Sequence, residues 1–292
     1  MNYRHAFHAG NFADVHKHAV LARILTHLRL KPATFRVIDS HAGAGRYDLA
    51  APDPIRGGEW RLGIARLWAA RAERAARAAL RQTQPWALLA PYLDAVAALN
   101  QDGELRAYPG SPLVVQHLLR AHDRLIACEI EPQAAAGLAA ALRGDPRAKV
   151  LALDGWTAIG AFVPPKERRG LILIDPPFED AGDFARLSVV LETTHRKWPT
   201  GIYMLWYPIK DREAPDALAR RLRRSRVPKL LRCELSPGAL REGASLVGSG
   251  LLVVNPPFTL EADLHLILPV LGNALSRRPS WRIDWLTPKE MA

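Results

Sequence analysis

Leu171-Ile172-Leu173-Ile174-Asp175-Pro176-Pro177-Phe178 joins an unbroken apolar run to a carboxylate, two prolines and an aromatic ring. Four consecutive apolar residues predict a short parallel strand buried on both faces. Two prolines then stop it, since neither donates to the ladder and both fix φ. Asp175, the carbonyl-rich Pro176-Pro177 turn and the Phe178 ring are thereby held at the carboxyl end of a strand, where open α/β sheets put their chemistry. A planar base with an exocyclic amine matches all three. Asp175 and the proline carbonyls accept hydrogen bonds from the NH2, and the ring stacks on the base face.

Strand and helix signals alternate on both sides of this stretch, the mark of a parallel sheet. Strands are expected at Phe35–Asp39, Leu125–Ile130, Lys149–Leu153, 171–174, Ile202–Tyr207, Leu230–Leu235 and Gly250–Val254. Asn11 is expected to cap a helix carrying Phe12, Val15, Ala19, Ala22 and Leu25 at helical spacing. Further helices are expected near Leu113–Leu119, Gln133–Leu142, Phe184–Thr194 and Ala214–Arg226, and the tail after Leu271 gives no clear pattern.

Ser40-His41-Ala42-Gly43-Ala44-Gly45 follows the first of these strands, the element that lets a backbone approach a nucleotide-like ligand. The next strand leads to Glu129, an acid placed to hold ribose hydroxyls. The usual separation is about 20 residues, but here it is 84 (129 − 45). Residues 48–110 are therefore read as an inserted helical subdomain at the carboxyl edge of the sheet. Asp154, closing the following strand, is placed to meet an adenine amine. Asp48 stands where a dinucleotide-binding loop needs its third glycine. That favours S-adenosyl-L-methionine, which carries no phosphates.

Composition narrows the partner. Lys plus Arg number 40 against 29 Asp plus Glu, for a net charge of +11 and a pI near 10.1, which favours a polyanion. Two cysteines, Cys128 and Cys233, provide neither a disulfide framework nor a zinc site. No apolar run is long enough to cross a bilayer and the start lacks a signal-peptide core, so a cytoplasmic protein is expected. His16 and His18 on one helix point about 200° apart, so no metal is expected there.

These motifs resemble the class I, Rossmann-like methyltransferases that modify adenine at N6. More closely, the chain resembles the bacterial 23S ribosomal RNA (adenine-2030-N6)-methyltransferase family. The resemblance runs through Tyr3-Arg4-His5-Ala6-Phe7-His8-Ala9-Gly10-Asn11, Lys17-His18, His41 to Tyr47, Tyr108-Pro109-Gly110-Ser111-Pro112, 171–178 and Leu205-Trp206-Tyr207-Pro208. It implies an α/β, mostly parallel sheet with the inserted subdomain, over one domain (1–292) whose amino-terminal motif occupies 1–30. It also implies cofactor contacts at His18, His41, Ser111, Glu129, Asp154 and Gly155, beside Gly43 of the glycine loop. Asp175 would be catalytic, with Pro176 and Phe178, and 23S rRNA would be the partner. Tyr3 would touch the RNA. Lys17 is read as either solvated surface or an RNA phosphate contact. Phe178 departs from the tyrosine that many relatives carry, which keeps stacking but not a phenolic hydrogen bond.

Asn255-Pro256-Pro257-Phe258 also ends an apolar strand and competes with Asp175 for the catalytic position. Order favours Asp175, because the catalytic motif should follow the strand that ends in Asp154. Asn255 is read as structural. The arginines from Arg220 to Arg226 distribute around a helix and are expected to be solvated, and Trp60, Trp68 and Trp86 are expected to fill core. DNA adenine methylation, glutamine-amide methylation of a protein, and a non-catalytic RNA-binding assembly role are the alternatives to be tested.

Overall fold

Eight strands form the central sheet of the computed structural model, which describes residues 5–76, 83–180, 182–238 and 246–289. In chain order its strands are β1 (Arg36–Asp39), β4 (Arg124–Cys128), β5 (Ala148–Leu151), β6 (Gly170–Ile174), β7 (Ile202–Ile209), β8 (Leu230–Ser236), β9 (Gly248–Val254) and β10 (Ser280–Trp285). Two short strands, β2 (Arg46–Asp48) and β3 (Ala107–Pro109), pair separately and antiparallel. Across the main sheet the order is β5-β4-β1-β6-β7-β9-β8-β10. From β5 to β7 all neighbours are parallel, whereas β9 runs antiparallel to both β7 and β8, and β10 antiparallel to β8. The strand order reverses at β1, so the crevice between the carboxyl ends of β1, β4 and β6 is the topological switch point.

The apolar run in β6 is explained by burial on both faces. Leu171 and Leu173 pack into one core, and Ile172 and Ile174 into the other, as the two-residue period of a strand requires. On the first face lie α1 (Phe12–Arg29), α5 (Ser111–Leu118), α6 (Pro132–Ala141) and α10 (Leu260–Leu275); the second carries α7 (Gly155–Phe162), α8 (Asp183–Lys197) and α9 (Glu213–Arg223). Asn11 caps α1 as expected, its Oδ1 accepting from the Ala13 and Asp14 amides.

Between β2 and β3 run α2 (Pro52–Gly57), a 3-10 turn (Glu59–Leu62), α3 (Ile64–Ala76) and α4 (Gln84–Ala98). Their buried residues Ile64, Leu67, Tyr92 and Val96 join the same core as α1. Three expectations need correction in detail. The β4 and β5 strands stop at Cys128 and Leu151, two residues earlier than expected, because the chain there turns into the acidic loops. The tail is regular: α10 continues through Pro269 to Leu275 and is followed by the edge strand β10.

Candidate active site

At the switch point a cavity of about 560 Å³ opens, within the range of small-molecule sites. Its lining includes Lys17 and His18 from α1, His41 and Gly43 after β1, Ser111 at the start of α5, Glu129 after β4, and Asp175 and Pro177 after β6. Residues 130 apart and more in sequence converge there because most end or begin an element at one edge of the sheet, while Lys17 and His18 come from the second turn of α1.

Gly43 has φ +62°, and a Cβ at that position would lie 2.3 Å from the Tyr47 hydroxyl, so the turn admits no side chain. The Tyr47 hydroxyl in turn accepts from the Ala44 amide. Glu129 receives the Gly43 amide on Oε2 and the Glu131 amide on Oε1, both at 2.8 Å. Two backbone donors therefore aim this carboxylate across the glycine turn.

The His18 Nδ1 lies 2.8 Å from the Tyr108 hydroxyl, which lies 3.0 Å from that of Tyr92. Burial raises both phenols well above their ordinary pKa. His41 is pushed down to about 4 by burial, so its ring is neutral at pH 7; Nδ1 lies 2.8 Å from Ser40 Oγ. Ser111 Oγ donates to Asp39 Oδ2 at 2.7 Å and so presents only lone pairs toward the cavity.

Asp175 is held by an ion pair. Lys17 Nζ donates to its Oδ2 at 2.5 Å and lies 2.9 Å from Asp14 Oδ1, one turn back on α1. The lysine side chain is 4% exposed and that of Asp175 11%. Burial opposes the ammonium, but the two carboxylates hold its pKa above the ordinary lysine value. The other oxygen of Asp175, Oδ1, makes no hydrogen bond to any described residue. Three residues on, Phe178, with φ +52°, sets its ring 4.8 Å from Phe184 and 5.7 Å from Trp206, centroid to centroid.

A family model described as "Ribosomal RNA large subunit methyltransferase D, RlmJ" matches residues 32–287. The chain belongs to that methyltransferase family. Two curated relatives, each called ribosomal RNA large subunit methyltransferase J, extend the likeness over the whole length. The one from Haemophilus influenzae is 37% identical over 292 residues, covering 99% of this chain and all of the relative. That from Escherichia coli is 38% identical over 293 residues with the same coverage. A solved protein structure from Legionella pneumophila superimposes with a TM-score of 0.84 at 30% identity, over 95% of this chain and 98% of that one.

Within this methyltransferase fold the cavity gathers His18, His41, Gly43, Ser111, Glu129 and Asp175. Asp154 and Gly155 are not among the lining residues, though Gly155 lies against His41: a Cβ there would be 2.7 Å from that ring. Asp154 caps α7, its Oδ2 accepting from the Thr157 amide and hydroxyl, and these bonds hold its carboxyl below the usual range although burial works the other way. Pro176 is buried and Phe178 half-buried, and the cavity lining takes Pro177 from this turn but neither of those two. Tyr3 lies outside the described residues. For Lys17 the solvated-surface reading is corrected, because its ammonium is enclosed by Asp14 and Asp175 and its side chain is 4% exposed. Asp14 and Asp39 are participants that the sequence reading missed. The Asp14–Lys17 spacing, one helical turn, was the available signal for the first.

Asn255 lies at the opposite edge of the sheet. Since β9 is antiparallel to β7, Val254 pairs with Tyr203, and Asn255 Nδ2 donates to the carbonyls of Pro199 and Gly201, at 2.8 Å each. No group of His, Cys, Asp and Glu suited to a metal occurs among the described residues, and no described helix is long and apolar enough to cross a membrane.

Proposed function

We propose that this chain transfers a methyl group from S-adenosyl-L-methionine to the exocyclic N6 amine of an adenine in 23S rRNA, at position 2030. The observation that carries this reading is the Asp175 carboxylate in the cavity lining, one oxygen fixed by Lys17 and the other making no hydrogen bond to a described residue, with Pro176 and Phe178 following it in the chain. The name of the curated relatives supports the class of substrate.

The residues fit the cofactor by their chemistry. Glu129 suits a pair of ribose hydroxyls, Ile130 and Ala134 offer an apolar wall to a purine, and Gly43 lets the backbone approach. Ser111, with only lone pairs free, suits an ammonium; His18 suits a carboxylate or amine nearby. Asp154 stands behind His41 for a purine amine. The cofactor, when bound, supplies a methyl group on a sulfonium.

Aromatic amines are poor nucleophiles because the lone pair is delocalised into the ring. Asp175 Oδ1 and the Pro176 carbonyl accept the two amine hydrogens and draw the nitrogen toward tetrahedral geometry, freeing the lone pair for in-line attack. Phe178 stacks on the base, which must leave its helix or loop at a cost of about a few kcal/mol. Lys17 fixes the rotamer of Asp175, so the acceptor is oriented before the base arrives. The proton released from nitrogen leaves through the wet cavity mouth.

The test is transfer of radiolabel from S-adenosyl-L-methionine to unmodified 23S rRNA, followed by nucleoside analysis. N6-methyladenosine is expected from the native chain, and a loss of about 100-fold or more in kcat for Asp175→Asn and Lys17→Met. Label in DNA or protein but not in this RNA would overturn the substrate. Full activity of Asp175→Asn would overturn the catalytic assignment.

A further inference from the structure

The role of the inserted residues 48–110 follows from where they touch the amino-terminal segment. Glu59, in the 3-10 turn after α2, accepts two hydrogen bonds on the same oxygen. His8 Nδ1 lies 2.9 Å from Oε2 and Asn11 Nδ2 donates to it at 3.0 Å. Asn11 is 5% exposed and is the residue that caps α1, so Glu59 orients the cap amide from outside the helix. Glu59 itself is 19% exposed.

Two glycines of the insertion admit the segment at a distance no other residue permits. A Cβ on Gly57 would lie 2.3 Å from the Phe7 carbonyl oxygen, and one on Gly63 would lie 2.1 Å from that of Gly10. The Ile64 amide donates to the Gly10 carbonyl at 2.8 Å. From the seated segment a polar path runs to the reacting carboxylate: the Gly10 amide donates to Asp14 Oδ2, Asp14 pairs with Lys17, and Lys17 with Asp175. Ala6 and residues 51–54 of the insertion line the same side of the cavity.

We propose that the insertion is the seat of the amino-terminal segment, with Glu59 as its positioning residue: it holds residues 5–11 over the cavity mouth so that they meet the RNA beside the target base. This rests on the proposed rRNA methylation for its consequence, but the seat itself does not depend on the substrate.

Hydrogen exchange of the backbone amides at 7–11 is therefore measured first, on the full chain without RNA. Glu59→Ala and Gly57→Ala are expected to lose protection there by about tenfold or more. Steady-state kinetics then give the split: KM for 23S rRNA rises by about tenfold in both variants, with S-adenosyl-L-methionine affinity within about twofold of native. Unchanged exchange in Glu59→Ala would overturn the seat. Lost exchange protection with an unchanged KM for RNA would overturn the role in RNA positioning, and a fall in cofactor affinity would assign the contact to the cofactor pocket instead. A native chain inactive on 23S rRNA removes the proposed function and leaves the exchange result to stand alone.

Discussion

Asp39 and Asp175 end neighbouring parallel strands, and their surroundings treat them differently. Asp175 has the Lys17 ammonium. Asp39 is wholly buried with the Ser111 hydroxyl as donor on Oδ2, no hydrogen-bond partner on Oδ1 among the described residues, and the Asp175 charge nearby. Burial first, and then that neighbour, push Asp39 up to about 7. The folded protein thus holds a proton that the unfolded chain releases above its ordinary carboxylate pKa of 3.8. The sign follows: this group's contribution is full below about pH 3.8 and is lost as pH rises through about 7. We expect the urea midpoint of Asp39→Asn to gain on that of the native chain as pH is raised from about 4 to 7. A difference that stays flat would contradict the assignment. His16 works in the opposite direction. Burial pushes it down to about 3, with Ser249 Oγ and Cys233 Sγ at 3.0 and 3.1 Å, so stability attached to it is lost as pH falls from about 6.5 towards 3. A variant at Asp39 separates the two trends.

Two Pro-Pro motifs each follow an apolar strand, and only the direction of the strand distinguishes them. The β6 strand delivers Asp175 to the cofactor-side edge; β9, reversed, delivers Asn255 to the far edge, where its φ of +49° and two carbonyl bonds close the turn against Pro199 and Gly201. Asn255→Ala is expected to cost about 1–3 kcal/mol in chemical unfolding and to leave the rate of methyl transfer at the native value. A loss of transfer at full stability would move the catalytic assignment. Direction is also where the sequence was least legible. The apolar runs of β1, β4 and β6 mark buried strands by composition, and the acids and glycines that follow them mark the edge carrying the site. Nothing in Leu251-Leu252-Val253-Val254 tells which way it runs. The three-residue strands β2 and β3 are too short for any periodicity, and β10, Ser280 to Trp285, is an exposed edge whose polar residues hide it. Lys17 was misplaced for a related reason: its partner Asp175 is 158 residues away, and no local pattern reports a contact of that range.

The whole molecule carries a net charge of +11, while the charged lining of its cavity is mainly acidic, Asp48, Asp53, Glu129, Glu131 and Asp175 against Lys17 and Arg46. The two signs suit two ligands, a polyanion outside and a sulfonium within. Binding of RNA should therefore weaken with salt far more than binding of the cofactor. We expect KM for 23S rRNA to rise by about tenfold or more between roughly 50 and 200 mM salt, with cofactor affinity in equilibrium dialysis changing by less than about twofold. Equal sensitivity of the two would argue against an electrostatic RNA surface.

The long-range contacts of α1 have a further effect during synthesis. This helix emerges among the first residues, yet His16 reaches Cys233 and Ser249, which follow it by 217 and 233 residues. At about 5–20 residues per second, its final neighbours arrive on the order of ten seconds or more later. The Lys17–Asp175 pair spans 158 residues and can form only once β6 has been made, whereas the contacts of His16 wait for β8 and β9, so the two sides of α1 find their partners at different times.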